Sequence, residues 1–167
     1  MATDTESWFP LFEFQDWVYQ SFLVLPTPEE DSALPGTAVT AMKWAKGTLL
    51  CGQAFKTADG YTLDGTLSFR PGVELSVSAK GLLGAGINPA PFEATGTGTE
   101  GPTKGAIYQL VGWVFPEEPI ANQAAKVLRI CGAVRAVRGP DTKPETELGG
   151  MPVGTVGAFA IVSSGPA

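Results

Sequence analysis

The chain contains no histidine. That removes the commonest general base together with the Ser-His and Cys-His nucleophile pairs, so acid–base work would fall to carboxylates, tyrosine or lysine. Within segments of extended character the side chains able to contribute are Asp64, Glu74, Glu93, Tyr108, Arg129 and Arg135. For each of the six a solvated outer face is the ordinary expectation. Arg129 and Arg135 share a face if their segment is a strand, where two guanidinium groups could hold a ligand carboxylate or pair with surface acids. Tyr108 stands apart. It lies in the apolar run 105–115, and a hydroxyl buried there must find a hydrogen-bond partner in the protein or in a ligand. The candidate ligand contacts are therefore Tyr108, Trp113, Arg129 and Arg135, with no catalytic residue assigned.

Cys51 and Cys131 lie 80 residues apart. Two isolated cysteines without histidine make no zinc set, and both are expected to be reduced and buried, the usual place of a free thiol. No metal and no cofactor is expected. Gly96-Thr97-Gly98-Thr99-Glu100-Gly101 matches G-x-G-x-x-G letter for letter, but Pro102 and a β-like run follow where a helix would have to start to hold a pyrophosphate. The stretch reads as a turn.

These residues need strands to position them. In 61–70, Tyr61, Leu63, Gly65, Leu67 and Phe69 alternate with Thr62, Asp64, Thr66, Ser68 and Arg70; in 73–80, Val73, Leu75, Val77 and Ala79 alternate with Glu74, Ser76, Ser78 and Lys80. Period two marks half-buried strands. Pro71-Gly72 between them suits a type II turn, proline pre-setting φ and glycine accepting a positive φ. Parity then requires one extra residue in the connection, or apolar and polar faces would be mixed along the ladder. A three-residue loop with a bulge or local twist is expected, pairing Phe69 with Leu75, Arg70 with Glu74 and Asp64 with Lys80.

Residues 37–44 and 48–55 read as two strands turning near Lys46-Gly47, and Ala58-Asp59-Gly60 leads into the hairpin. Further strands are expected over 92–99, 105–115, 126–138 and 153–162. The third of these also fits a helical pattern, but its β-branched residues and Gly132 favour a strand. Residues 105–115 are apolar on both faces, as in a strand covered from both sides. The aromatic stretch 8–25 suits a short helix, or plug, leading into an extended piece. Residues 26–36 and 139–151, with their prolines and glycines, are loops.

The chain has 167 residues, enough for one domain with a substantial core, here a barrel over 37–163 preceded by an aromatic and acidic segment over 1–36. Its 21 glycines and 14 prolines punctuate many short elements, and strand glycines permit the coiling that barrel closure needs. An all-β, eight-stranded antiparallel up-and-down barrel is expected, with a β-sandwich as alternative. The net charge of −6 disfavours nucleic acid and anionic membranes as partners. The acidic, polar start lacks the pattern of a secretory signal, which points to the cytoplasm.

Gly96-x-Gly98, Gly105-Ala106, Tyr108 and Gly112 resemble the glycine pattern with which allene oxide cyclase-like and dirigent-like barrels enter a central strand. The pattern is also similar to that of other calycin-type barrels such as lipocalins and avidins. The resemblance implies a β-barrel and raises a cofactor-independent cyclase or isomerase, without carrying over any catalytic residue. Three functions stay open: a barrel binding a small apolar molecule, that cyclase or isomerase, and a structural or assembly protein, with a homo-oligomer possible.

Overall fold

A computed structural model describes residues 16–26, 39–58, 60–82, 90–116 and 128–163. They form a closed barrel of eight antiparallel strands in sequence order: β1 (Asp16–Pro26), β2 (Val39–Lys56), β3 (Gly60–Arg70), β4 (Val73–Leu82), β5 (Ala90–Thr97), β6 (Ile107–Pro116), β7 (Leu128–Arg138) and β8 (Val156–Ser163). Each strand pairs with its chain neighbours. β8 returns to β1 through pairs such as Tyr19↔Ile161 and closes the sheet. This up-and-down closure is compatible with a calycin-type barrel.

Alternation sorts the side chains. β4 buries Val73, Leu75, Val77 and Ala79 and exposes Glu74, Ser76, Ser78 and Lys80. The same period in the other strands directs Trp17, Tyr19, Leu63, Leu67, Phe92, Leu110, Ile130, Val134, Phe159 and Ile161 into one continuous core. Each large apolar side chain so buried contributes roughly 1.5–3 kcal/mol. Tyr19 anchors an aromatic cluster, edge-on to Phe69 at 6.0 Å and stacked with Phe159 at 6.3 Å between ring centroids.

Several expectations are corrected. β1 lies within 1–36 yet is a barrel strand, so the barrel takes in residues of that segment from Asp16 onward among the described residues. The extended piece expected within 8–25 is strand from Asp16 onward; the short helix or plug expected before it falls on residues 8–15, which lie outside the described residues. The strand expected over 126–138 is present as 128–138, and 120–127 lies outside the described residues. No turn occurs at Lys46-Gly47: β2 runs through it for 18 residues. Gly47 serves a close approach instead, since a Cβ there would stand 2.7 Å from the Ser68 carbonyl oxygen and 3.2 Å from the Phe69 ring.

In the β3–β4 hairpin the extra residue required by parity is present, but it is Phe69, bulged within β3. The loop is only Pro71-Gly72, closed by Arg70↔Val73, with Gly72 at φ +80°. Ser68 therefore faces Glu74 and Thr62 faces Lys80, two residues out of the expected register. Neither expected charge pair forms. Lys80 instead reaches Glu93 on β5 at 2.8 Å, on the exposed outer face.

The outer face of β6 is not covered: Val111 is 61 % exposed, Trp113 48 % and Phe115 38 %. Cys131, paired with Trp113 across β6 and β7, is half-buried on this outer face, so its thiol is not a core group as expected. The side chain of Cys51 lies outside the described residues.

Candidate functional site

The strands do not fill the barrel. An internal cavity of about 310 Å³ is lined by Leu63, Leu75, Val77, Ala94, Leu110 and Ile161 among other apolar side chains. Small residues leave this space. Ala79 and Ala94 face each other across β4 and β5, and Gly96 follows two positions on. The lining runs from buried Leu75 to exposed Arg70, Lys46 and Leu148, so the cavity reaches the surface.

The opening follows from strand length. At the end of the barrel where the β3–β4, β5–β6 and β7–β8 connections gather, the last β2–β3 pair is Thr48↔Ser68, while β2 continues beside β1 as far as Val39. Over Trp44, Ala45 and Lys46 the wall has no β3 partner. Phe69 and Arg70 flank the gap from the hairpin, and Glu147, Leu148 and Gly149 of the β7–β8 connection complete the rim.

The polar groups at the cavity are few and organised. Ser21 is buried and its Oγ accepts a hydrogen bond from the Ala45 amide at 3.1 Å. Tyr19 is hydrogen-bonded to Ser21; burial pushes its hydroxyl pKa up to about 12, an effect that Ser21 partly offsets. Tyr108 donates to Glu147 Oε2 at 2.8 Å. Its pKa is raised by burial first, then by the Glu147 carboxylate, with the Leu148 amide opposing and Tyr19 adding a little.

Glu147 is only 6 % exposed. Besides Tyr108 it accepts from the Met151 amide at 3.2 Å through Oε1, and its own backbone amide donates to the Met151 carbonyl at 2.7 Å. Gly150, at φ +87°, lets the chain reverse between these two residues. The connection is thereby a compact tip held to the barrel through Tyr108. Below it, Arg138 bonds both Asp141 Oδ1 and the Gly105 carbonyl at 2.8 Å, tying the β5–β6 and β7–β8 connections together.

Of the sequence candidates, only Tyr108 lines the cavity. Trp113 cannot join it: the two are five residues apart on one strand, hence on opposite faces, and Trp113 points outward. Arg129 and Arg135 share a face as expected, and that face is the outer one, where both are exposed. Asp64, Glu74 and Glu93 are exposed as well. The structure thus does not gather the four candidates into one place.

Sequence reasoning missed Glu147, Ser21, Phe69 and Arg70. Glu147 had one available signal, its place in a long connection directly before Leu148-Gly149-Gly150, since loops of that length in compact domains are often functional. Among the described residues no group of three or more His, Cys, Asp or Glu is placed to hold a metal ion. The G-x-G-x-x-G stretch ends β5 and enters a single 3-10 turn, Gly101–Thr103, with no helix for a phosphate. In comparisons with known proteins, no family model, no curated protein and no solved structure matches the chain.

Proposed function

We propose that the protein binds a small, mostly apolar molecule inside its barrel. The observation that carries this reading is the cavity of about 310 Å³, apolar along its walls and open at a rim that holds the polar groups. Ligand pockets span roughly 300–1,000 Å³ and combine apolar walls with a few placed polar groups. The volume lies at the lower end, which suits a ligand of modest size.

The test uses N-phenyl-1-naphthylamine, a neutral apolar fluorophore whose emission rises in a dry site. Saturable binding to the wild type is expected, and Ala94→Leu, which places new methyl groups in the cavity, should abolish it. Absence of saturable binding, or the same affinity in Ala94→Leu, would remove the cavity from the account.

A second reading, a cofactor-independent cyclase or isomerase of the allene oxide cyclase-like kind, draws on Tyr108 and Glu147 standing together at the cavity. A shaped apolar space with such a pair could hold a reactive molecule in one folded geometry. The binder reading is preferred because the Tyr108 proton is already committed to Glu147 and both Glu147 oxygens have donors within the protein.

A further inference from the structure

The charged groups around the opening are unevenly arranged. Arg70 at the end of β3 and Lys46 on β2 stand on the two sides of the gap where β2 outruns β3, and both border the cavity; Arg70 does so from the inward side, whereas Lys46, opposite Gln20 and between inward Ala45 and Gly47, sits on the outward side of the open β2 edge. Neither makes an ion pair among the described residues. Glu74, the acid next to the turn of the same hairpin, lies on the outer face and accepts from Ser68 Oγ at 3.4 Å. This happens in a chain whose net charge is −6, with acids outnumbering bases.

Among the described residues the other charge bordering the cavity is Glu147, and it is not in the same place. Its partner Tyr108 is on β6, three strands round the barrel from Arg70, and its oxygens are taken by Tyr108 and the Met151 amide. Among the described residues, one side of the opening is therefore cationic and has no ion-pair partner. The other is an anion used up in holding the β7–β8 tip.

Arg70 is held there by the fold. It closes the Pro71-Gly72 turn opposite Val73, a buried inward residue, so the bulge at Phe69 returns Arg70 to the inward side at the very rim. Without that bulge, Arg70 would share the outward face of Ser68. A guanidinium at the mouth of an apolar chamber can pair with an anionic group while that group stays partly hydrated, which avoids the cost of burying the charge.

Resting on the cavity reading above, the geometry points to an amphipathic organic anion as the ligand: an apolar body inside the barrel and one carboxylate-type group at the gap beside Arg70, with Lys46 adding positive charge at the outer edge of that gap. The probe pair is octanoate and 1-octanol, which differ in the head group alone, each measured by displacement of N-phenyl-1-naphthylamine. Octanoate is expected to displace at a concentration about fivefold or more below that of 1-octanol, the scale of exposed charge pairs acting together. Its advantage should shrink as sodium chloride rises from 20 to 200 mM, and 1-octanol should show no such dependence.

Arg70→Met with Lys46→Met should erase the difference while leaving 1-octanol unchanged, and Arg70→Lys with Lys46→Met should keep part of it. Equal displacement by the two probes, or a better 1-octanol, would overturn the anion assignment and leave the cavity reading standing. An octanoate advantage that survives both substitutions, or is insensitive to salt, would overturn the placement at the gap. Failure of the neutral fluorophore itself to bind would overturn the cavity reading, and this inference with it.

Discussion

Tyr19 and Tyr108 put two hydroxyls into surroundings that hold the proton more tightly than water does. For Tyr19 the ordinary value of 10.0 rises to about 12, chiefly through burial, and for Tyr108 the shift is in the same direction. Because the folded state binds these protons more tightly, the stability they contribute is complete below pH 10. It is lost as pH rises through the folded values. For Tyr19 the interval is worth roughly 2–3 kcal/mol. Urea unfolding at pH 8, 10 and 11 should show a steeper alkaline loss in the wild type than in Tyr19→Phe or Tyr108→Phe; parallel pH curves would show that neither hydroxyl is held as described. At this scale the sequence was half legible. Parity assigned Tyr108 to the face of Ala106, Leu110 and Val114, and that face is inward. The same parity barred Trp113 from the cavity, yet apolar residues on both faces of the strand suggested cover on both sides. Exposed Val111, Trp113 and Phe115 show that apolar character alone does not locate a face. Glu147 was beyond reach, since its position depends on how a long connection folds back onto a strand 39 residues earlier.

The hairpin of β3 and β4 shows what an element's sequence fixes and what it leaves free. The turn type was readable because Pro71-Gly72 has its own chemistry. Gly72 has φ +80°, and a Cβ added there would meet nothing within 4 Å. Gly72→Ala is therefore a test of backbone conformation alone, expected to destabilise by about 1 kcal/mol, with Pro71→Ala costing less. Equal urea midpoints for wild type and Gly72→Ala would exclude the positive φ. The register was less readable. Parity demanded one extra residue but could not say whether it sat in the loop or in a strand, and the charge pairs favouring the loop contribute only roughly 0.2–1 kcal/mol each. Packing outweighs them: the bulge sets the Phe69 ring edge-on against Tyr19 and close to Gly47. Gly47 misled for a related reason. A glycine in a strand can mark a turn or a close approach, and only the neighbouring strand decides which. Gly112 and Gly132 show the second case again: they face each other across β6 and β7, and a Cβ on Gly112 would collide with the Cys131 carbonyl. Helix against strand was settled for 128–138 by β-branched residues and by pairing on both sides.

On the scale of the whole molecule, eight strands and their closure were legible because period two recurs along the chain, whereas the hollow interior was not. Hollowness is a sum over facing residues, and which small residues face each other depends on registers such as Ala79↔Ala94 and Gly96↔Tyr108. The hollow has an energetic consequence. At about 24 cal/mol per Å³ of cavity, 310 Å³ corresponds to at most about 7 kcal/mol of forgone packing, an upper bound because this cavity reaches solvent. Domains of ordinary stability have about 5–15 kcal/mol in total. A barrel serving only as a scaffold would gain from larger side chains at positions 79 and 94, so the retained space argues for an occupant. Filling and binding should then oppose each other. Ala94→Leu is expected to raise the urea midpoint by the equivalent of about 1 kcal/mol with an unchanged slope, as other cavity-filling substitutions do. The neutral fluorophore should raise the melting temperature of the wild type in proportion to the logarithm of its concentration above Kd, and leave that of Ala94→Leu unmoved. If Ala94→Leu instead loses 1 kcal/mol or more, the added methyl groups find no room. The interior would then be packed, and the barrel would have no chamber for a ligand to enter.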